Sequence, residues 1–204
     1  FLLIPVEVGF DITLTTTNID KKLGGEPFRW TTDLNFSLVR NKVLELQNDS
    51  TALEGKTYFK ESTRVYCKSV VGEAPGLFYG YKTDGIIQNT EELKKVERFA
   101  GTDVGDFNYV DINSDGKIND EDKTFIGDPN PDFNFGMTNT FQFYGVTISF
   151  LLQGSYGNDI FNASRIETEG MYDAKNQSSR VLDRWRRPGM ITSIPKAGFD
   201  MKVS

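Results

Sequence analysis

The sequence predicts an all-β protein of long antiparallel strands, in the form of a transmembrane β-barrel segment with long polar loops. Three observations lead to this fold class. Apolar and polar residues alternate with a period of two over ten or eleven residues in three separate segments. Aromatic residues make up 13% of the chain. The connections between strands are either very short or very long. Alternation of this kind gives a strand one apolar and one polar face.

The alternating segments define the predicted strands. They are residues 6–15, 28–38, 133–143 and 146–152, with a further short strand expected at 77–81. Within 28–38, Thr32 is the one polar residue on the apolar side. Two folds fit this pattern: a soluble β-sandwich, whose strands average ~5–6 residues, and a transmembrane barrel, whose strands need ~9–11 residues. Strand length favours the barrel.

The connections predict which parts lie on each side of the membrane. Tyr144-Gly145 joins two strands as a tight hairpin, whereas 83–132 and 156–200 are long and polar. Outer-membrane barrels have short periplasmic turns and long extracellular loops. With Tyr144-Gly145 as a periplasmic turn, both long segments are expected to be extracellular loops.

Each long loop is expected to carry a short helix. One begins at Asn89, with Glu91 and Glu92 in its first turn, and runs towards Phe99. The other follows Ser178-Ser179 and ends at Pro188-Gly189. Its arginine-rich residues 180–187 suggest either anion binding or a solvated helix with a basic last turn.

Composition excludes several classes of function. The 204-residue chain has a net charge of −6, which argues against nucleic-acid binding. It contains no histidine, so histidine bases and histidine-ligated metals are excluded. Its single cysteine, Cys67, allows no intrachain disulfide. No carboxylate pair stands out as catalytic, and no nucleotide-binding or nucleophile-elbow motif occurs. We therefore predict no enzymatic activity.

The most specific motif is an acidic loop from Asp111 to Asp122 with the pattern D-x-N-x-D-G-x-I-x-x-x-D. This is the spacing of an EF-hand or dockerin-type calcium loop, in which Gly at position 6 permits a sharp turn. Side chains at positions 1, 3, 5 and 12 and the carbonyl at position 7 supply oxygens to Ca²⁺. The predicted ligands are Asp111, Asn113, Asp115, Lys117 by its carbonyl, and Asp122. The alternative is an acidic β-turn without a metal.

Four stretches in order resemble one family. They are Tyr79-Gly80-Tyr81-Lys82-Thr83-Asp84-Gly85-Ile86-Ile87-Gln88, the acidic loop at 111–118, residues 126–133 (IGDPNPDF) and residues 151–162 (LLQGSYGNDIFN). Together they resemble the SusC/RagA-like TonB-linked outer-membrane proteins. The stretch Arg184-Trp185-Arg186-Arg187-Pro188-Gly189, followed by Pro195-Lys196-Ala197, is a looser match.

The resemblance implies a segment of a ~22-stranded barrel in the outer membrane of Bacteroidetes-type bacteria. Such barrels import glycans or peptides, with a SusD-like surface lipoprotein as lid and energy from the TonB complex. The whole chain, 1–204, is then part of the barrel, and the plug, the TonB box and the final strand are expected outside it. Tyr172 and Trp185 are candidates for contact with the lipoprotein, unless they pack within their own loop. The alternative function is a soluble, secreted, calcium-stabilised β-domain that binds carbohydrate or protein.

Overall fold

The structure, a computed structural model, describes residues 3–24, 26–46, 52–59, 62–172 and 174–198. These residues form strands β1 (Leu3–Leu23), β2 (Glu26–Leu46), β3 (Leu53–Phe59), β4 (Ser62–Ser69), β5 (Leu77–Tyr81), β6 (Thr83–Ile86), β7 (Phe107–Tyr109), β8 (Lys123–Gly127), β9 (Phe133–Phe143) and β10 (Val146–Tyr156). The helices are α1 (Thr90–Leu93), α2 (Ser164–Glu169) and two 3-10 turns, Asp120–Asp122 and Ser179–Asp183. The all-β prediction is confirmed.

The largest sheet has the strand order β1-β2-β9-β10, and its neighbouring strands are antiparallel. Phe28 lies opposite Phe143 across β2 and β9. The turn between β1 and β2 is therefore at the same end of the sheet as the Tyr144-Gly145 turn. Tyr144 and Gly145 both have positive φ, 50° and 75°, as expected for a type I′ hairpin.

Strands β1 and β2 are longer than predicted, at 21 residues each. Their pairing with each other continues past the point where β9 begins, so that Val8 lies opposite Arg40. The prediction stopped where the alternation weakens. In the structure, β1 and β2 continue to pair with each other beyond that point. Backbone hydrogen bonds between two strands do not require an alternating pattern of side chains.

The described residues also form two smaller sheets, with the orders β3-β4-β5-β8 and β6-β7. The chain forms two compact units. The first comprises the described residues up to Phe78 together with Gly127–Asp159, and contains the largest sheet. The second comprises Tyr79–Ile126 and the described residues from Ile160 onwards. The helices in the described ranges are too short and polar to traverse a bilayer.

The two predicted helices are shorter than the sequence suggests. Asn89 caps α1 as expected, because its side chain accepts hydrogen bonds from the N–H groups of Glu91 and Glu92. The helix nevertheless ends at Leu93, because Glu97 pairs instead with the acidic loop, in a bridge to Lys117. The second helix is only the 3-10 turn Ser179–Asp183, because Arg184 has a non-helical ψ of 151° and a turn follows at Pro188-Gly189.

Candidate functional site

The largest sheet carries an apolar face that nothing in the described chain covers. Neighbouring strands are in register, so that apolar side chains of one strand lie beside those of the next. The exposed apolar side chains on this face are Val8, Phe10, Ile12, Leu14, Leu34, Phe36, Phe135, Val146, Ile148, Phe150 and Leu152. A continuous apolar face of this kind is typical of a surface that contacts lipid or another apolar partner.

Aromatic rings lie at both ends of this face. At the hairpin end, the rings of Phe28 and Phe143 are 5.9 Å apart and those of Phe143 and Tyr144 are 4.2 Å apart. At the opposite end, Phe133 lies 5.2 Å from Tyr156. Aromatic girdles at the two membrane interfaces flank the apolar band of outer-membrane barrels. The face therefore has the aromatic borders that are typical of a membrane-spanning band.

A small polar network interrupts the middle of the apolar face. Asn139 Oδ1 accepts hydrogen bonds from Thr32 Oγ1 at 2.8 Å and from Trp30 Nε1 at 3.0 Å. Asn18 Nδ2 donates to Thr32 Oγ1 at 2.6 Å. Thr32 and Asn139 are buried. Thr32, the exception in the sequence pattern, is thus satisfied by partners on the adjacent strands.

The acidic loop follows the path expected for its sequence. Gly116 has φ of +83°, as position 6 requires. The carboxylate of Asp111 accepts hydrogen bonds from the N–H groups of Asp115 at 3.2 Å and Gly116 at 2.8 Å. Asn113 Oδ1 accepts from the N–H of Asp115 at 3.1 Å. The side chains at positions 1 and 3 therefore face the inside of the loop.

Asp122 closes the loop from its far end. Its side chain is completely buried, and its two oxygens accept hydrogen bonds from the N–H groups of Asn119 and Ile112, each at 2.8 Å. The N–H of Asn119, with a smaller contribution from that of Ile112, holds the pKa of Asp122 below its usual range, although burial opposes this shift. Asp122 therefore remains an anion.

The donor set of the loop suits Ca²⁺, a hard cation that takes six to eight oxygens. In the described part of the chain, however, no three carboxylates or thiols lie where they would together hold a metal ion. The carboxylates are instead bonded to the loop's own N–H groups. A carboxylate offers about four lone-pair sites, so these bonds leave room for a cation. The loop thus combines the ligand types and the backbone path of a calcium loop without gathered carboxylates.

The acidic loop is anchored to the rest of its unit. Glu97 bonds to it through two backbone hydrogen bonds, to the carbonyl of Gly116 at 2.8 Å and from the N–H of Ile118 at 2.7 Å. Ile118, at position 8, is buried. Tyr81 Oη donates to Asp120 at 2.9 Å. Any ordering of the loop therefore extends to strand β5.

A second feature of this unit joins residues far apart in the chain. Gln88 Oε1 accepts hydrogen bonds from Trp185 Nε1 at 3.1 Å and from the N–H of Gly189 at 2.9 Å. The Trp185 ring lies against Gly105, where a Cβ atom would meet ring carbons at 2.5 and 2.7 Å. Lys196 donates to Asp103 at 2.9 Å. No local sequence signal indicated that residues 88 and 185 meet, because 97 positions separate them.

The two aromatic residues expected at a lipoprotein interface lie inside their own unit. Tyr172 is buried, and its hydroxyl donates to Glu167 at 2.8 Å. Trp185 is half-buried against Gly105. The alternative expectation, packing within the residue's own loop, describes Tyr172, whereas Trp185 packs against residues of the other long loop, Gly105 and Gln88.

Comparison with known proteins places these features in context. No family model matches the chain. Three TonB-dependent receptors of Formosa agariphila are similar to it: receptor P3 (27% identical over 92% of this chain), P26 (29% over 94%) and P39 (30% over 86%). The aligned part is 18%, 19% and 20% of the respective receptors, so the chain spans about a fifth of their length.

Two solved structures have a similar fold. One is the RagAB peptide transporter, with a TM-score of 0.64, 18% identity, and coverage of 95% of this chain and 20% of that one. The other is the RagAB peptide importer in the open-open state, with a TM-score of 0.60, 17% identity and coverage of 95% and 19%. The resemblance inferred from the four sequence stretches is confirmed, and so is the antiparallel fold class.

Proposed function

We propose that the chain is a late-barrel segment of an outer-membrane, TonB-dependent importer of oligosaccharides or peptides. The observation that carries this proposal is the apolar face of the sheet β1-β2-β9-β10, with aromatic rings at both ends. Similarity to TonB-dependent receptors over about nine-tenths of the chain supports it. The proteins it resembles are receptors and transporters, and the alternative of a soluble β-domain leaves the apolar face unexplained.

The proposed topology places 83–132 and 156–200 outside the cell. The β1-β2 and β9-β10 turns lie at one end of the sheet, which we assign to the periplasm because both turns are short. The remaining parts of the importer, the plug and the TonB-contacting segment, belong to other regions of the parent protein. A SusD-like surface lipoprotein is the proposed partner on the outer side.

Cysteine labelling of the parent receptor on intact cells tests this topology. In a Cys67→Ser background, Lys94→Cys and Ser193→Cys, both at exposed positions, should react with a membrane-impermeant reagent. Tyr144→Cys, at the exposed hairpin, should react only after the outer membrane is permeabilised. Labelling of Tyr144→Cys on intact cells, with Lys94→Cys protected until lysis, would show the opposite orientation.

The acidic loop is proposed as a structural calcium site. Asp111, Asn113, Asp115 and Asp122 would hold the ion by side chain and Lys117 by its carbonyl, with a Kd of roughly 10⁻⁴–10⁻³ M, as in extracellular modules. The positive φ of Gly116 and the burial of Ile118 support this proposal. Bound calcium would neutralise the repulsion between the carboxylates and stiffen the loop.

Hydrogen exchange of the parent receptor tests the calcium site. Amides in 105–128 should exchange more slowly in millimolar Ca²⁺ than in chelator, and Asp115→Ala should abolish the difference. Asp183→Ala, which removes an exposed carboxylate outside the loop, should retain it. Equal exchange of the wild type in both conditions would identify the motif as an acidic turn that needs no metal.

A further inference from the structure

The second unit carries a basic projection between residues 182 and 191, which we call the arginine tip. Its two ends are tied together: Thr192 Oγ1 donates to the carbonyl of Asp183 at 2.7 Å, and the N–H of Trp185 donates to the carbonyl of Ile194 at 2.9 Å. The residues between these bonds form a loop that leaves and re-enters the unit at one place. Predicted as the end of a helix, this segment is instead a tethered loop.

The arginine tip is basic although the chain is acidic. Residues 182–191 contain three arginines and one aspartate, whereas the whole chain has a net charge of −6. Arg180, which precedes the tip, pairs with Glu169 at 3.5 Å. Arg186 and Arg187 are exposed, and neither forms an ion pair within the described residues. Arg186 donates one hydrogen bond, to the carbonyl of Leu182 at 2.9 Å. Two guanidinium groups are thus available to outside acceptors.

Exposed apolar side chains accompany these charges. Ile191 is fully exposed and Leu182 is 63% exposed. Leu182 directly precedes Asp183, and Ile191 directly precedes Thr192. Because the side chain of Thr192 bonds to the carbonyl of Asp183, Leu182 and Ile191 lie at the same end of the loop. Arginine next to exposed aliphatic groups is the composition found at protein interfaces, where arginine binds carboxylates by paired hydrogen bonds.

The tip is held in place before any partner binds. Gln88 accepts hydrogen bonds from Trp185 and from the N–H of Gly189, and its Nε2 donates to the carbonyls of Ile86 at 3.1 Å and Met190 at 3.5 Å. One side chain therefore fixes both the base and the far arm of the tip. Ordering a loop in advance lowers the entropic cost of association.

We propose that the arginine tip is the docking surface for an acidic, partly apolar protein surface, that of the surface lipoprotein. This inference rests on the proposed function, which places a lipoprotein on the outer side. The local charge asymmetry selects an acidic partner, and Ile191 supplies an apolar contact at the edge of the charged area. Trp185 then supports the surface from inside, and Tyr172, buried beside Glu167, does not form part of it.

Binding of the purified lipoprotein to the detergent-solubilised parent receptor tests the proposal. The R186E/R187E variant should bind at least ~10-fold more weakly and lose most of the salt dependence of the association rate. Ile191→Ser should weaken binding several-fold. The matched control is K21E/K22E, which makes the same change in charge at two adjacent exposed lysines of strand β1, in the first unit. It should bind within about twofold of the wild type.

Three outcomes would overturn the inference. The first is an unchanged affinity of R186E/R187E for the lipoprotein, and the second is an equal loss of affinity in K21E/K22E. The third is that R186E/R187E loses binding to lipopolysaccharide vesicles but not to the lipoprotein, which would assign the arginines to lipid phosphates. Hydrogen exchange of the Lys196 amide, which bonds to Gly105, verifies that the variants keep the local fold. A wild-type receptor that labels as proposed and co-purifies with the lipoprotein, while the tip variants bind normally, would leave the proposed function intact.

Discussion

At the residue scale, Gly105 shows how one position joins two distant stretches of the chain. Its φ of +94° is a conformation that residues with a Cβ atom rarely adopt. Its missing side chain also leaves the space that the Trp185 ring occupies. The N–H and carbonyl of Gly105 bond to Ile87 and Lys196. Glycine is thus required here for two separate reasons, backbone conformation and close packing.

Replacing Gly105 by alanine should loosen the arginine tip and its support. We expect the free energy of local opening to fall by about 2–4 kcal/mol, from backbone strain and overlap with the Trp185 ring together. Hydrogen exchange of the Lys196 amide in the parent receptor measures this. Gly101→Ala is the control, because Gly101 has φ of +89° but no atom within 4 Å of its missing Cβ. It should cost only about 1 kcal/mol. Equal effects of the two substitutions would exclude a role for the ring contact.

At the scale of the elements, strands β2 and β9 are joined by more than their backbone ladder. Asn139 accepts hydrogen bonds from Trp30 and Thr32 across the strand pair. Side-chain bonds between fixed positions favour one register, since a slip by one residue would turn these groups to the opposite face. A polar network inside an apolar face therefore specifies how the strands align.

Asn139→Ala should destabilise the receptor more than the removal of a few side-chain atoms suggests. The substitution leaves the buried donor Thr32 Oγ1 and the half-buried donor Trp30 Nε1 without their acceptor, which costs about 1–3 kcal/mol. The double variant T32V/N139L replaces both a donor and its acceptor by apolar groups, and should recover part of this loss. Urea unfolding of the parent receptor in detergent gives the free energy of unfolding of each variant.

Thr140→Ala is the control. It removes only a hydrogen bond to Ser149 on the polar face of the sheet and should change the free energy of unfolding by less than about 0.5 kcal/mol. A double variant as unstable as Asn139→Ala would argue against the network.

At the scale of the whole molecule, the sheet β1-β2-β9-β10 is incomplete by itself. In the described part of the chain, β1 pairs only with β2, and β10 only with β9, so each has an unpaired edge. Its apolar face is open as well. Neither condition suits water or a bilayer without further strands. The sheet therefore needs neighbours, as a barrel segment would.

The 204-residue chain, expressed alone, should accordingly require detergent. In aqueous buffer we expect aggregates, because exposed apolar surface and open strand edges both promote association. Size-exclusion chromatography with light scattering in buffer and in detergent makes the comparison. A monodisperse monomer in plain buffer would instead favour the soluble, secreted β-domain.

The local parts of the structure followed from sequence alone. Alternation predicted strands within β1, β2, β9 and β10, and Tyr144-Gly145 predicted the hairpin between β9 and β10. Both features could be predicted because a period of two and the positive φ of a tight turn depend on only a few neighbouring residues. The Asn89 cap and the path of the acidic loop were predicted for the same reason. The calcium ion itself remains a prediction, because oxygen ligands and spacing indicate what can bind but not what is bound.

Tertiary structure decided whatever depends on residues distant in sequence. The α1 helix stops at Leu93 because Glu97 finds partners at Gly116 and Ile118, and local propensity contains no information about them. Trp185 faces inward because Gln88 and Gly105 lie where its ring and N–H can be satisfied. Thr32 can lie on an apolar face because its hydroxyl donates a hydrogen bond to Asn139 on the neighbouring strand. Periodicity reports which face a side chain belongs to, whereas only the folded chain determines which partner meets it there.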